Sequence, residues 1–230
     1  MVTLPIRDVL FATPRARIVH LGLDGQTVPY TAGQAVIVGV PGERRRPDSI
    51  ASAPEDAARD GCLELLVGVD ADGRAGPHLP LVSGTAIEVD GPVGNFTFPA
   101  TPVEHQFVFV AGGTGIAPLR AMIRHALAAQ RAPRVGLLYS ARTPEDFAYE
   151  EELRGLAASG IIELRQTVTR ALETDWAGNR GRIDRAALAT LVHDDETLCF
   201  VCGPAAMVDD IPRLLAEMGV PRERIRIEEW

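Results

Sequence analysis

From about residue 4 to residue 98, short apolar-rich runs of β type alternate with polar turns of Gly, Pro and Asp. The runs cover residues 6–11, 16–21, 34–40, 49–53, 63–69 and 86–89, and each is predicted as a strand. Helical periodicity is nearly absent here. One short helix is predicted between residues 76 and 82, kept brief by Pro77 and Pro80. Strands this short and this closely spaced suggest a barrel or a sandwich.

Near residue 101 the period changes. Residues 107–111 form a continuous apolar run that ends in Gly112-Gly113. Residues 117–129 have helical composition, with Pro118 tolerated in the first turn. A buried strand at 134–139 follows, then an acidic helix near 144–157 and a third strand at 161–167. Asp184 can N-cap a helix that runs to residue 192. A fourth strand at 198–202, a helix at 204–218 and a terminal strand at 225–227 complete the pattern. Strands alternating with helices imply βαβ units and a parallel sheet. Pro99-Ala100-Thr101-Pro102 reads as the linker, which divides the chain into a β-rich domain, 1–100, and an α/β domain, 101–230.

Composition narrows the function. The 230 residues carry 23 basic and 31 acidic side chains, a formal charge of −8. That balance argues against a nucleic-acid footprint and against a polybasic membrane anchor. Every basic residue is arginine. Without lysine there is no Schiff-base chemistry, no P-loop NTPase and no protein kinase. Cys62, Cys199 and Cys202 are too few for a disulfide scaffold or a four-cysteine iron–sulfur cluster. No apolar run approaches the roughly 18 residues of a membrane span. Arg7 and Asp8 interrupt the first ten residues, so no signal peptide is expected and the cytoplasm is the expected compartment.

Four segments carry candidate chemistry. Ala111-Gly112-Gly113-Thr114-Gly115-Ile116-Ala117-Pro118 follows a buried strand and opens a helix. Glycines there let a backbone approach a ligand closely, and a helix N-terminus favours phosphate. Pro118 takes the place of the third glycine of the usual dinucleotide fingerprint. Val201-Cys202-Gly203-Pro204 stands at a second strand end, so both segments belong at the carboxyl edge of the sheet, where open parallel sheets bind ligands. Cys199 and Cys202 are spaced three apart in a strand, about 10 Å, beyond disulfide reach. Cys199 is expected in the core and Cys202 exposed at the crevice, the alternative for Cys202 being a small buried hydrophobe. Arg44-Arg45-Arg46-Pro47-Asp48-Ser49 is a basic cluster leading into a strand, either a bidentate phosphate site or a solvated loop. Gly91-Pro92-Val93-Gly94-Asn95-Phe96 alone is only a turn.

In this order the four segments resemble the ferredoxin–NADP reductase family, and the resemblance covers essentially the whole chain. It implies a six-stranded antiparallel β-barrel that binds FAD, followed by an α/β parallel-sheet domain that binds NAD(P). Arg46-Pro47-Asp48-Ser49 stands where the family has R-x-[YF]-S, so Arg46 is expected on the FAD pyrophosphate and Ser49 near flavin N5. The family's aromatic residue is here Asp48, which supplies no apolar face and would repel reduced, anionic flavin. Gly73-Arg74-Ala75-Gly76 stands where the family has G-x-x-S; the serine is missing, which weakens one phosphate contact there and leaves the backbone N–H groups. Gly91–Phe96 matches G-P-x-G-x-F, and residues 112–118 match G-G-T-G-I-A-P. With Ile50, Val69, Thr114 and the terminal Trp230, expected to stack on flavin, these residues make up the implied FAD set.

The implied NAD(P) set is Gly112, Gly113, Thr114, Gly115, Pro118, Ser140, Arg142, Thr169, Arg170, Arg182, Cys202, Gly203, Pro204 and Met207. Ser140 and Arg142 stand where an NAD-specific domain often has an acidic residue. With Thr169-Arg170 and Arg182 they point to the 2′-phosphate of NADPH, NADH being the alternative. Ser49, Cys202 and Glu228 are the expected polar groups at hydride transfer, and no metal is expected. The implied activity passes hydride from nicotinamide to FAD and electrons onward to a separate acceptor, such as a ferredoxin, a flavodoxin or an oxygenase component. Arg44, Arg45 and Arg46 are the candidate patch for an acidic partner. Asp48 and Gly76 keep two alternatives open: a dinucleotide-binding regulatory protein with a degraded flavin site, and a reductase of free flavin.

Overall fold

A computed structural model describes the chain except for residues 130–132, 171–175 and 230. By its internal contacts the chain divides into two compact units, Met1–Phe98 with Ala117–Gln130, and Pro99–Ile116 with Arg131–Trp230.

The first unit holds strands β1 (Val2–Thr13), β2 (Ala16–Gly22), β3 (Ala35–Gly39), β4 (Arg46–Ser49), β5 (Cys62–Gly68) and β6 (Ala86–Val93), with helix α1 (Pro54–Asp60) between β4 and β5. They pair antiparallel in the order β4-β3-β6-β1-β2-β5. The two end strands then meet: Ile50 bridges Leu65, and the Ala51 amide donates to the Glu64 carbonyl at 2.7 Å. That contact closes the sheet into a barrel and removes its open edges. Leu4 and Ile6, Val19 and Leu21, Val36 and Val38, Leu63 with Leu65 and Val67, and Ile87 and Val89 form the core. Each set is spaced by two, as one face of a strand requires.

The sequence reading differs from this barrel in three places. The strand expected at 49–53 lies earlier, as β4, because Ile50 and Ala51 are spent on closure. Helix α1 was not expected. Pro54 stands in its first turn, the Asp56 carboxylate accepts from the Ala53 amide at 3.4 Å, and Gly61 ends it in the left-handed region. The helix expected between residues 76 and 82 is instead a turn, with the Leu79 amide reaching the Gly76 carbonyl at 3.3 Å. Pro77 and Pro80 withhold the amides that a second turn needs.

Helix α2 (Ile116–Ala128) is amphipathic, and from Ala117 onward it belongs to the barrel unit. Arg124 forms a two-pronged ion pair with Asp56 of α1, one prong at 2.8 Å. Arg120 donates to Glu64 and to the Ala51 carbonyl, both at 2.9 Å. Beneath them the polar outer face of the barrel forms a cavity of about 270 Å³, where His20 meets Asp8 at 2.7 Å and Glu64 at 3.3 Å.

The second unit is built on β7 (Gln106–Gly112), β8 (Arg134–Ala141), β9 (Glu163–Val168), β10 (Asn179–Arg180), β11 (Leu198–Gly203) and β12 (Ile225–Glu229). All pairings are parallel, in the order β10-β9-β8-β7-β11-β12. Every residue of β7 and β11 is buried. Helices α4 (Arg185–Ala189) and α5 (Ala205–Glu217) pack Leu188, Ile211 and Leu215 against Val108, Val110, Leu138 and Val201. Asp184 caps α4 as expected, accepting from the Ala187 amide at 2.8 Å. The acidic helix expected at 144–157 is divided: a single tight turn at Pro144–Asp146 precedes α3 (Glu150–Ala158), with Tyr149 left-handed between them.

Candidate active site

The strand order dictates where a ligand fits the second unit. From β7 the chain moves outward through β8, β9 and β10, then returns to the other side of β7 as β11 and β12. The crevice of such a sheet opens at the carboxyl ends of the two strands where the direction reverses. Those ends are Gly112 and Gly203. A Cβ on Gly203 would lie 3.3 Å from the Gly112 backbone and 2.7 Å from Met207 Sδ. A Cβ on Gly112 would lie 2.9 Å from both Met207 Cε and Pro204 Cδ. Only two bare backbones allow this approach, and Pro204 and Met207 fill the space that side chains on them would take. Gly113, Thr114 and Gly115 continue the loop as a tight turn that opens into α2, whose first turn carries Pro118. Tyr139 fixes the loop from below: its hydroxyl donates to the Gly113 carbonyl at 3.0 Å and accepts from the Ala148 amide at 3.2 Å.

The carboxyl edge continues along β8, β9 and β10. The Thr169 amide donates to Ala141 at 3.0 Å, the Arg170 amide to Arg142 at 2.8 Å, and the Gly181 amide to Val168 at 2.9 Å. These bonds tie three strand ends together and set Arg142, Arg170 and Arg182 within two residues of them. All three arginines are exposed. Ser140, by contrast, is buried, and Thr169 uses its hydroxyl on the Ala141 carbonyl.

Cys202 and Glu228 are register partners on β11 and β12. The expectation that Cys202 lies exposed is corrected: it is 1% exposed. It stands between Ala111 and Glu228 in a strand buried along its whole length, so position at a strand end does not bring it to solvent. Burial, then the charge of Glu228, pushes its thiol far above the ordinary range. Burial also pushes the Glu228 carboxyl up to about 7. Ser49, the third expected member of this set, belongs to the other unit.

In the first unit, β4 carries Arg46 exposed and Asp48 and Ser49 half-buried. Ile50 is sealed in the barrel core. Val69 follows β5, its amide bonded to Arg15. The turn at 73–76 departs from expectation, because the amides of Gly73 and Arg74 already donate to Asp70 at 3.0 and 2.9 Å. Phosphate contacts from those two amides are therefore pre-empted. Arg45 pairs with Asp90 at 3.7 Å, whereas Arg44 is exposed. Trp230 lies outside the described residues. Sequence reasoning missed Tyr139 and also His78, whose ring stands 3.9 Å from Asp48. A lone histidine between prolines gives no periodic signal, and Tyr139 reads simply as a core aromatic.

Residues 109–213 match the family model described as an oxidoreductase NAD-binding domain. The chain is 35% identical to ferredoxin–NADP reductase B of Sorangium cellulosum, over 90% of this chain and 88% of that one. It is 32% identical to the ferredoxin reductase component of 3-ketosteroid-9-alpha-monooxygenase of Mycobacterium tuberculosis, over 96% of this chain but 60% of that longer relative. Among solved structures, the cytochrome P450 reductase GcoB of Amycolatopsis superposes with a TM-score of 0.84 at 28% identity, covering 99% of this chain and 68% of that one.

Proposed function

The chain belongs to the ferredoxin–NADP reductase family and is an NAD(P)H-dependent flavin oxidoreductase, and on that premise we propose that it takes hydride from NADPH onto FAD and delivers electrons to a separate protein acceptor. We assign FAD to residues 1–100 and the nicotinamide nucleotide to residues 101–230. The acceptor is a ferredoxin, a flavodoxin or an oxygenase component, and the names of the relatives speak for the first and the last. The observation that carries the reading is the close approach of Gly112 and Gly203 at the switch point of a parallel sheet.

The loop after Gly112 opens α2 and offers backbone N–H groups at that strand end, which fits a pyrophosphate. Arg142, Arg170 and Arg182 fit the 2′-phosphate of NADPH: among the described residues none of the three guanidinium groups has a partner. Bound FAD would supply the conversion between two-electron and one-electron transfer. The chain's own groups do the rest. Tyr139 holds the Gly113 carbonyl so that the loop is ordered before nucleotide arrives. Cys202 stays a neutral thiol at any physiological pH and acts by packing between Ala111 and Glu228 rather than as a nucleophile. Glu228 can hold or release a proton near neutrality on the strand beside it. Arg46 is exposed on β4 and available to a phosphate, and Ser49 offers its hydroxyl from the same strand.

The test is the visible absorbance of the purified protein before and after anaerobic NADPH. A flavin band that bleaches supports the reading. A colourless protein that still binds NADPH, but bleaches added flavin catalytically, would replace it with a reductase of free flavin. A colourless protein that binds NADPH and reduces no flavin would leave the regulatory reading.

A further inference from the structure

Among the described residues, Asp48 and His78 each keep a buried polar atom without a hydrogen-bond partner, Asp48 Oδ2 and His78 Nδ1. The two side chains face each other: His78 Nε2 stands 3.9 Å from Asp48 Oδ2, and the His78 side chain is only 8% exposed. They come from different segments. Asp48 lies on β4 between Arg46 and Ser49, and His78 follows the turn at 73–76. Gly76 sits at φ +104°, and a Cβ there would close to 3.3 Å on His78 Nδ1. The glycine thus leaves that side of the ring uncrowded. The charged groups acting on Asp48 are His78, across from it, and Arg46, on its own strand.

A carboxyl and an imidazole in this position can hold one proton between them, which makes the pair neutral overall; losing that proton leaves a net negative charge. We propose that Asp48 and His78 work as one proton-holding unit that ties β4 to the 73–76 turn and so positions both segments on FAD. The inference rests on the assignment of those two segments to flavin. In it, Asp48 is not a damaged aromatic contact but half of a polar clamp, and His78 is a positioning residue that acts through it. With the proton on, a short movement closes the Nε2 to Oδ2 gap into a charge-assisted hydrogen bond. With the proton off, the pair carries a net negative charge between the two segments, and FAD, which carries a pyrophosphate dianion, is held less well.

The experiment is FAD titration of the apoprotein by flavin fluorescence between pH 5.5 and 8.5, for the wild type, Asp48→Asn, His78→Gln and the double variant. Imidazole NMR of His78 in the flavin-free protein gives a second readout. The expected result is a wild-type Kd that rises with pH. Each single variant weakens binding at low pH by roughly tenfold and flattens the profile, the double variant is no weaker than either single, and Asp48→Asn moves the His78 ring resonances. Losses that multiply in the double variant, or His78 ring resonances that ignore Asp48→Asn, overturn the pair. A wild type that binds FAD with no pH dependence also overturns the pair and leaves the flavin assignment standing. A wild type that binds no FAD at any pH overturns the assignment and the pair together. Should His78→Gln fail to fold, the near-isosteric Asp48→Asn carries the same test through both readouts.

Discussion

At the scale of single residues, the sharpest consequences follow from charges without partners and from one carboxyl with too little water. Arg170 is exposed at the end of β9, its guanidinium unengaged among the described residues. Arg170→Ala should lower kcat/KM for NADPH by roughly tenfold and leave NADH little changed, a loss in the range of one charge-assisted hydrogen bond. Steady-state kinetics with both nucleotides check this, and an unchanged NADPH/NADH ratio removes Arg170 from the 2′-phosphate. Glu228 behaves differently, because its folded pKa is raised to about 7. Below the ordinary carboxylate pKa both folded and unfolded chains are protonated there, and burial costs nothing extra. As pH rises toward 7 the unfolded chain ionises first, so stability falls, and the loss is complete above 7. Glu228→Gln should therefore gain stability relative to the wild type at pH 8 compared with pH 4, as urea midpoints at the two values would register.

Among the secondary-structure elements, α2 and its clasp on the barrel matter most. Arg120 is 8% exposed, and it satisfies both Glu64 and the Ala51 carbonyl. Arg120→Ala should destabilise the chain by about 3 kcal/mol, because it strands a shielded carboxylate and a buried carbonyl together. A lowered urea midpoint at unchanged m-value is the expected signature. Asp56 adds a pH dependence of opposite sign to that of Glu228. Burial raises its pKa, but the hydrogen bonds and charge of Arg124 outweigh this and leave it lowered, so its contribution is present near neutrality and lost in acid. The elements also divide by how readily sequence foretells them. Strands whose core residues alternate, such as β3 and β5, were legible because Val36 and Val38, or Leu63, Leu65 and Val67, can only share one face. Helix α1 was not, since seven residues with two alanines and no apolar stripe carry no period to detect. Cys202 was misjudged for a related reason: in a central parallel strand burial follows from neighbours far along the chain. The loop at 112–115 was legible because its glycines serve a local geometry, whereas the Asp48–His78 encounter joins residues 30 apart and leaves no local trace.

For the whole molecule, the important fact is that the barrel unit is made of two separate stretches of chain. A fragment ending near residue 100 lacks Arg120 and Arg124, so Asp56 keeps Arg59 but loses Arg124, and Glu64 keeps His20 but loses Arg120. Such a fragment should give broad, poorly dispersed amide resonances, and one that folded as stably as the intact chain would show the α2 contacts to be dispensable.

The same discontinuity bears on how chains of this kind can be recombined. A crossover placed at the proline linker looks like a clean exchange of nucleotide-binding halves. It would in fact carry across a helix whose arginines must match the carboxylates of the recipient's barrel. Compatible parents are then those that agree at residues 56, 64, 120 and 124, whatever their agreement elsewhere, and a library of chimeras sorted by survival should rediscover those four positions.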